Sequence, residues 1–89
     1  MAENRYVTTS TSQNVALSSP TILLLQNDGE VPVSYAVNLA STSSSSPTLP
    51  VNGNTIAISG VTMTQVSFSS PVYGTGADAR KGAVKVTTL

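Results

Sequence analysis

Residues 31–39 alternate without a miss: Val31, Val33, Tyr35, Val37 and Leu39 fall on one side, with Pro32, Ser34, Ala36 and Asn38 between them. A side-chain period of two places the first set on one face of a pleated strand. Asn27-Asp28-Gly29 stands directly before it as a turn signal, and the apolar run Ile22-Leu23-Leu24-Leu25 stands before the turn. Strand, turn, strand is the local pattern of a small β protein.

The rest of the chain fits that pattern. Residues 6–12 are β-branched and polar but lack apolar alternation, so residues 1–13 read as an extended N-terminal arm or an edge strand. Asn14-Val15-Ala16-Leu17 is a short strand closed by Ser18-Ser19-Pro20. Residues 21–26 form a nearly continuous apolar strand, expected to be buried on both faces. Residues 40–50, rich in serine and holding Pro47 and Pro50, read as an exposed, mobile loop. Such a loop is either a tolerated insertion or a flexible cover for a neighbouring subunit. Asn52-Gly53-Asn54 turns into a strand at 55–58, and Gly60 marks a bend or bulge. Residues 64–69 alternate Val66 and Phe68 against polar neighbours. A glycine-rich loop at 70–82 leads to a last strand at 83–89, expected to be paired in a sheet. No segment carries an amphipathic 3.6 period. The expected fold is therefore all-β: a single-domain sandwich or barrel of six to seven short antiparallel strands, its body at residues 14–89.

A chain of 89 residues has a marginal core. Small domains usually compensate with disulfides, a metal or oligomerisation. There is no cysteine and no histidine, which removes disulfides, thiolate metal sites, the commonest transition-metal ligand and the commonest general base. Self-association is the expected stabiliser. Charged residues make up 9% of the chain and the formal net charge is zero, against roughly 25% charged residues in an ordinary soluble domain. Polarity comes instead from serine and threonine, which hold 26 positions. Four scattered basic residues cannot form the basic stripe of a nucleic-acid binder. The start of the chain has no signal-peptide pattern, and no stretch approaches the ~20 apolar residues of a membrane span. A neutral, weakly charged surface of this kind is suited to lie against other protein.

Catalytic constellations are scarce. Gly74-Thr75-Gly76-Ala77-Asp78-Ala79 matches a relaxed dinucleotide fingerprint, but that motif needs a strand before it and a helix after it, and the following residues read as loop and strand. Asn27-Asp28-Gly29-Glu30 supplies at most a fragment of a calcium loop, and Asp28 reads as a turn residue. A glycosidase pair, Glu30 with Asp78 for instance, would have no tryptophan platform to support it. A serine nucleophile would need a lysine as its base, and Lys81 and Lys85 both read as exposed. The chain is expected to be non-enzymatic and to need no cofactor or metal. Arg80-Lys81 beside Asp78 is the densest charge cluster, either a solvated loop or an anchor to an acidic protein surface. Tyr6 and Tyr73 stand in polar surroundings, either as lids on the core or as interface contacts. Tyr6, Val7, Tyr73, Arg80 and Lys81 are thus the candidate interface residues.

One resemblance covers most of the chain. A polar opening strand leads to Ile22-Leu23-Leu24-Leu25-Gln26-Asn27-Asp28-Gly29 and then to Val31-Pro32-Val33-Ser34-Tyr35-Ala36-Val37. A variable Ser/Pro loop follows, then Ile56-Ala57-Ile58-Ser59-Gly60-Val61, and the chain ends on Gly82-Ala83-Val84-Lys85-Val86-Thr87-Thr88-Leu89. This order resembles the small all-β virion proteins of tailed bacteriophages, with their "LLQN-x-G", "V-P-V-x-Y" and "V-x-V-T-x-L" strands. The resemblance implies a capsid decoration or cement protein, a homo-oligomer and most often a trimer, that ties together subunits of the major capsid protein. It further implies synthesis in the bacterial host cytoplasm, a final place on the capsid surface, and no nucleic-acid or membrane partner. A tail, neck or fibre component is the alternative, as is a carbohydrate- or receptor-binding module that recognises its ligand with the loops at 40–50 and 70–82.

Overall fold

Alternation in the apolar run decides where the core lies. In the computed structural model, which describes residues 2–89, Leu23 and Leu25 of the strand Ile22–Asn27 are fully buried. Ile22 and Leu24, which alternate with them, are only half-buried on the opposite face. This strand is thus covered fully on one face, not on both as its composition implied.

Eight strands are present: β1 (Ala2–Val7), β2 (Gln13–Ala16), β3 (Ile22–Asn27), β4 (Val33–Val37), β5 (Thr48–Leu49), β6 (Ile56–Ser59), β7 (Gln65–Ser69) and β8 (Ala83–Thr88). They form two four-stranded antiparallel sheets, ordered β1-β8-β3-β6 and β2-β7-β4-β5. The two orders correspond position by position: β1 with β2, β8 with β7, β3 with β4, β6 with β5. Eight strands in this double-sheet order make a jelly roll. The sheets do not close into a barrel. Leu23, Leu25, Val84 and Val86 from one sheet meet Val33, Leu49, Val66 and Phe68 from the other, and Met63 fills in from a connection.

The eighth strand is β5, whose two residues form no readable pattern. The first strand lies at Ala2–Val7 rather than at 6–12; Met1, the first residue of the expected arm, lies outside the described residues. The paired strand ends at Val7. Thr8 donates its N–H to Gly82 O at 2.8 Å and buries its hydroxyl against Ser70 Oγ at 2.7 Å. The alternation at 31–39 also outruns its strand, which covers only Val33–Val37. Asn38 takes a left-handed φ of 61°, a conformation that Asn tolerates better than most residues. Its side chain accepts from Thr64 N and donates to Thr62 O. Leu39 is consequently 58% exposed, whereas Ala36, on the nominally polar side, is buried.

Connections 8–12, 28–32, 50–55 and 70–82 gather at one end of the sandwich. Thr8 bonds to Gly82, Glu30 N–H to Lys81 O, and the Asn27 amide to Leu49 O. The buried Thr8–Ser70 hydroxyl pair is part of that junction. Thr8→Val strands the Ser70 hydroxyl in a dry site and is expected to lower stability by about 1–3 kcal/mol. Adding Ser70→Ala should restore part of that loss, since the stranded hydroxyl is then gone. Urea unfolding of the two single variants and the double variant measures this coupling. Strict additivity would show that the hydroxyls do not depend on each other.

Candidate interaction surface

The 70–82 connection is a projecting hairpin. Tyr73 and Arg80 form an isolated antiparallel bridge, each N–H donating to the other's carbonyl, at 3.0 Å and 2.6 Å. The turn-back between them uses Gly74 at φ 88° and Gly76 at φ 64°, where a side chain would be strained. Gly76–Asp78 is a three-residue 3₁₀ turn with extended residues on both sides. The dinucleotide-like motif is therefore followed by no α-helix whose N-terminus could take a pyrophosphate.

The bridge joins two of the candidate residues that lie apart in sequence. Tyr73 is 56% exposed and Val72 beside it is also exposed. The Arg80 guanidinium reaches Glu30, donating through Nη2 to the backbone carbonyl at 3.3 Å, with Nε 3.7 Å from the carboxylate. Lys81 is exposed, and its carbonyl accepts from Glu30 N–H. No described carboxylate lies within salt-bridge distance of it. The side chain of Asp78, and with it the Glu30/Asp78 pairing, lies outside the described residues. Val7 faces outward opposite Ala83, near the hairpin's root, and is half-exposed. Tyr6 turns to the inner side, where it packs against the core. Four of the five candidates thus share one exposed end of the molecule, while Tyr6, next to Val7 in β1, points to the other face of the sheet.

Tyr6 belongs to a second feature. The sheets part between β1 and β2, leaving an open slot of about 470 Å³ lined by Asn4, Tyr6, Val15, Leu17, Pro20 and Val86, among others. The outer face of the β1 sheet carries charges that compensate one another. Arg5 Nε donates to Asp28 Oδ2 at 2.7 Å, and Lys85 Nζ lies 3.5 Å from Glu3 Oε1. With Arg80–Glu30, the ion pairs among the described residues take up six of the eight formal charges. Their side chains are 42–66% exposed, so each pair contributes about 1 kcal/mol or less. Pairing leaves little long-range field to steer a charged partner. Among the described residues no three acidic, histidine or cysteine side chains cluster to hold a metal.

The start of the serine-rich loop is tied to the β2 sheet. Leu39 O accepts from Ser67 Oγ at 2.6 Å, and Thr42 bonds to both Ser12 and Ser69 through hydroxyls. Asn14 Nδ2 adds bonds to Ser67 Oγ and Gln65 Oε1. This strap covers the outer face of the β2 sheet, which is why Ser67 and Ala36 are buried there. Inward Val66 and Phe68 do fix Ser67 and Ser69 as outward, but what covers them could not be read locally.

No family model, no curated protein and no solved structure matches the chain.

Proposed function

We propose that this chain is a non-enzymatic structural protein of a bacteriophage particle, a capsid decoration or cement protein that docks on the major capsid protein. Two things support the reading besides the resemblance of the strands. A jelly roll is an architecture of viral capsid and lectin domains. Because one fold hosts many functions, the weight rests on the surface. There the hairpin at 70–82 is the observation that carries the proposal: exposed Val72 and Tyr73 beside Arg80 and Lys81, on a molecule whose other charges are mostly compensated within the chain. Aromatic and arginine side chains amid few net charges are what protein interfaces favour. Weak attachment of each copy suffices, since a repeating lattice multiplies it.

Co-sedimentation of the purified protein with undecorated capsids tests this. Saturable binding is expected, with Tyr73→Ala weakening it by about tenfold or more. Quantified virion proteins should show the 9.1 kDa chain in numbers comparable to the shell lattice. A handful of copies per particle would move it to the tail or neck. Binding to a glycan array in place of capsids, lost on shortening the hairpin, would favour the lectin-like reading.

A further inference from the structure

The longest unpaired strand edge is that of β1. It has six residues and pairs on one side with β8; no strand among the described residues pairs with its other side. The other outer strands are short: β5 has two residues, β2 and β6 four each, and β6 runs into Gly60 at φ 83°. β1 has no proline and pairs with β8 in unbroken register without a bulge, and its two charges, Glu3 and Arg5, lie on the outer face and not the inner one, so most of the devices that stop edges from pairing are missing. Since Thr8 N–H bonds to Gly82 O, the alternation of an antiparallel ladder turns Asn4 and Tyr6 toward β8. The N–H and C=O groups of Glu3, Arg5 and Val7 therefore point outward along the free edge.

We infer that two copies of this chain pair β1 against β1, antiparallel about a two-fold axis through Asn4, joining two four-stranded sheets into one. Charge selects this register. Outward-bonding residues must face one another, so the axis passes through a residue; on Asn4 or Arg5 it keeps five of the six strand residues paired, on Glu3 or Tyr6 only three. On Glu3 it sets carboxylate against carboxylate, and on Arg5 guanidinium against guanidinium, both repulsive. On Asn4 it sets Glu3 opposite Arg5 of the second copy, twice, each pair exchanging both backbone bonds. The Asn4 amides meet at the axis, in a close non-hydrogen-bonded position, with matching donors and acceptors. Glu3 and Arg5 side chains are 50% and 53% exposed, so their bonds to Lys85 and Asp28 leave room for a second partner. The inference concerns this edge alone and does not rest on the particle proposed above.

Sedimentation equilibrium from micromolar to millimolar concentration reads the pairing. The wild type is expected to form dimers. Glu3→Arg alone and Arg5→Glu alone each bring like charges together, and each should self-associate at least about tenfold more weakly. Mixed in equal amounts, the two variants face each other with opposite charges in both pairs, and dimers should return. Amide exchange gives a second readout: Glu3 and Arg5 N–H should gain protection with concentration, while Asn4 and Tyr6 stay protected throughout. Thermal melts of the dilute variants confirm that they fold. A monomeric or trimeric wild type overturns the inference, as do variants that associate like wild type or a mixture that fails to recover. None of those results bears on capsid co-sedimentation, which is read separately.

Discussion

Gly29→Ala is expected to abolish stable folding or to lower the melting temperature by more than 10 °C, the largest effect of any single methyl group added to this chain. A Cβ there would lie 2.2 Å from Ala83 N, 2.6 Å from Gly82 C and 2.8 Å from Gly82 Cα. All three are backbone atoms, so no rotamer can relieve the clash. The backbone is also held on both sides of the contact. Asp28 N–H bonds to Ala83 O at 2.8 Å, Glu30 N–H to Lys81 O at 3.0 Å, and Gly29 N–H itself to Asn27 Oδ1 at 2.9 Å. Overpacking ordinarily costs about 1–3 kcal/mol and more where nothing can move. In a domain of this size each kcal/mol shifts the melting temperature by about 4–8 °C. Gly60→Ala is the control. Gly60 has a positive φ of 83° but open space around its Cβ position, so only the conformational penalty applies, about 1–2 kcal/mol. Thermal melts by circular dichroism measure both. A Gly29→Ala variant that melts with or above Gly60→Ala would show that the turn and β8 are less tightly joined than their geometry indicates.

That glycine illustrates what the sequence could and could not disclose. As part of Asn27-Asp28-Gly29 it signals a turn, and the turn is there; its need for space against β8 depends on a strand more than fifty residues away. Period-two patterns placed β4 and β7 because an inward side chain at every second position is a local property; β3 showed only as an apolar run and β8 as a closing strand. Inward Met63 sits in a connection with no periodicity to betray it, and Leu39 looks inward until Asn38 ends the strand. Polar burial was the least legible part. Thr8, Ser67 and Ser70 resemble any of the chain's other hydroxyl residues, and only tertiary pairing decides which are dry. For the surface, composition named Tyr73, Arg80 and Lys81, and the backbone bridge assembled them. The unpaired edge of β1 emerged only once its partner was known to be β8 alone.

Asn27→Asp is expected to destabilise the protein strongly at neutral pH and less so in acid. Asn27 is 5% exposed and its amide joins three segments. Nδ2 donates to Val31 O and to Leu49 O, both at 2.9 Å, and Oδ1 accepts from Gly29 N–H. Aspartate keeps the shape and the acceptor but sets an oxygen against two carbonyl oxygens. When ionised it is a buried charge facing two negative dipole ends; when protonated its O–H satisfies one carbonyl and leaves the other unpaired. The protonated form therefore suits the fold better, which raises the folded-state pKa above the unfolded value of about 3.9. A raised folded-state pKa means that stability is retained at low pH and lost as pH rises toward that pKa. Below about pH 3 the deficit relative to wild type should be that of one unsatisfied carbonyl, about 1–3 kcal/mol. Above the unfolded pKa it should grow by about 1.4 kcal/mol for every unit by which the folded-state value is raised. Asn27→Ala removes the same bonds without adding a titrating group, so its deficit should not change with pH. Urea midpoints of wild type and both variants, from about pH 3 to pH 7, resolve the two behaviours. An Asn27→Asp deficit that stays level with pH, or shrinks as pH rises, would mean that the amide's two donors do not face the carbonyls of Val31 and Leu49.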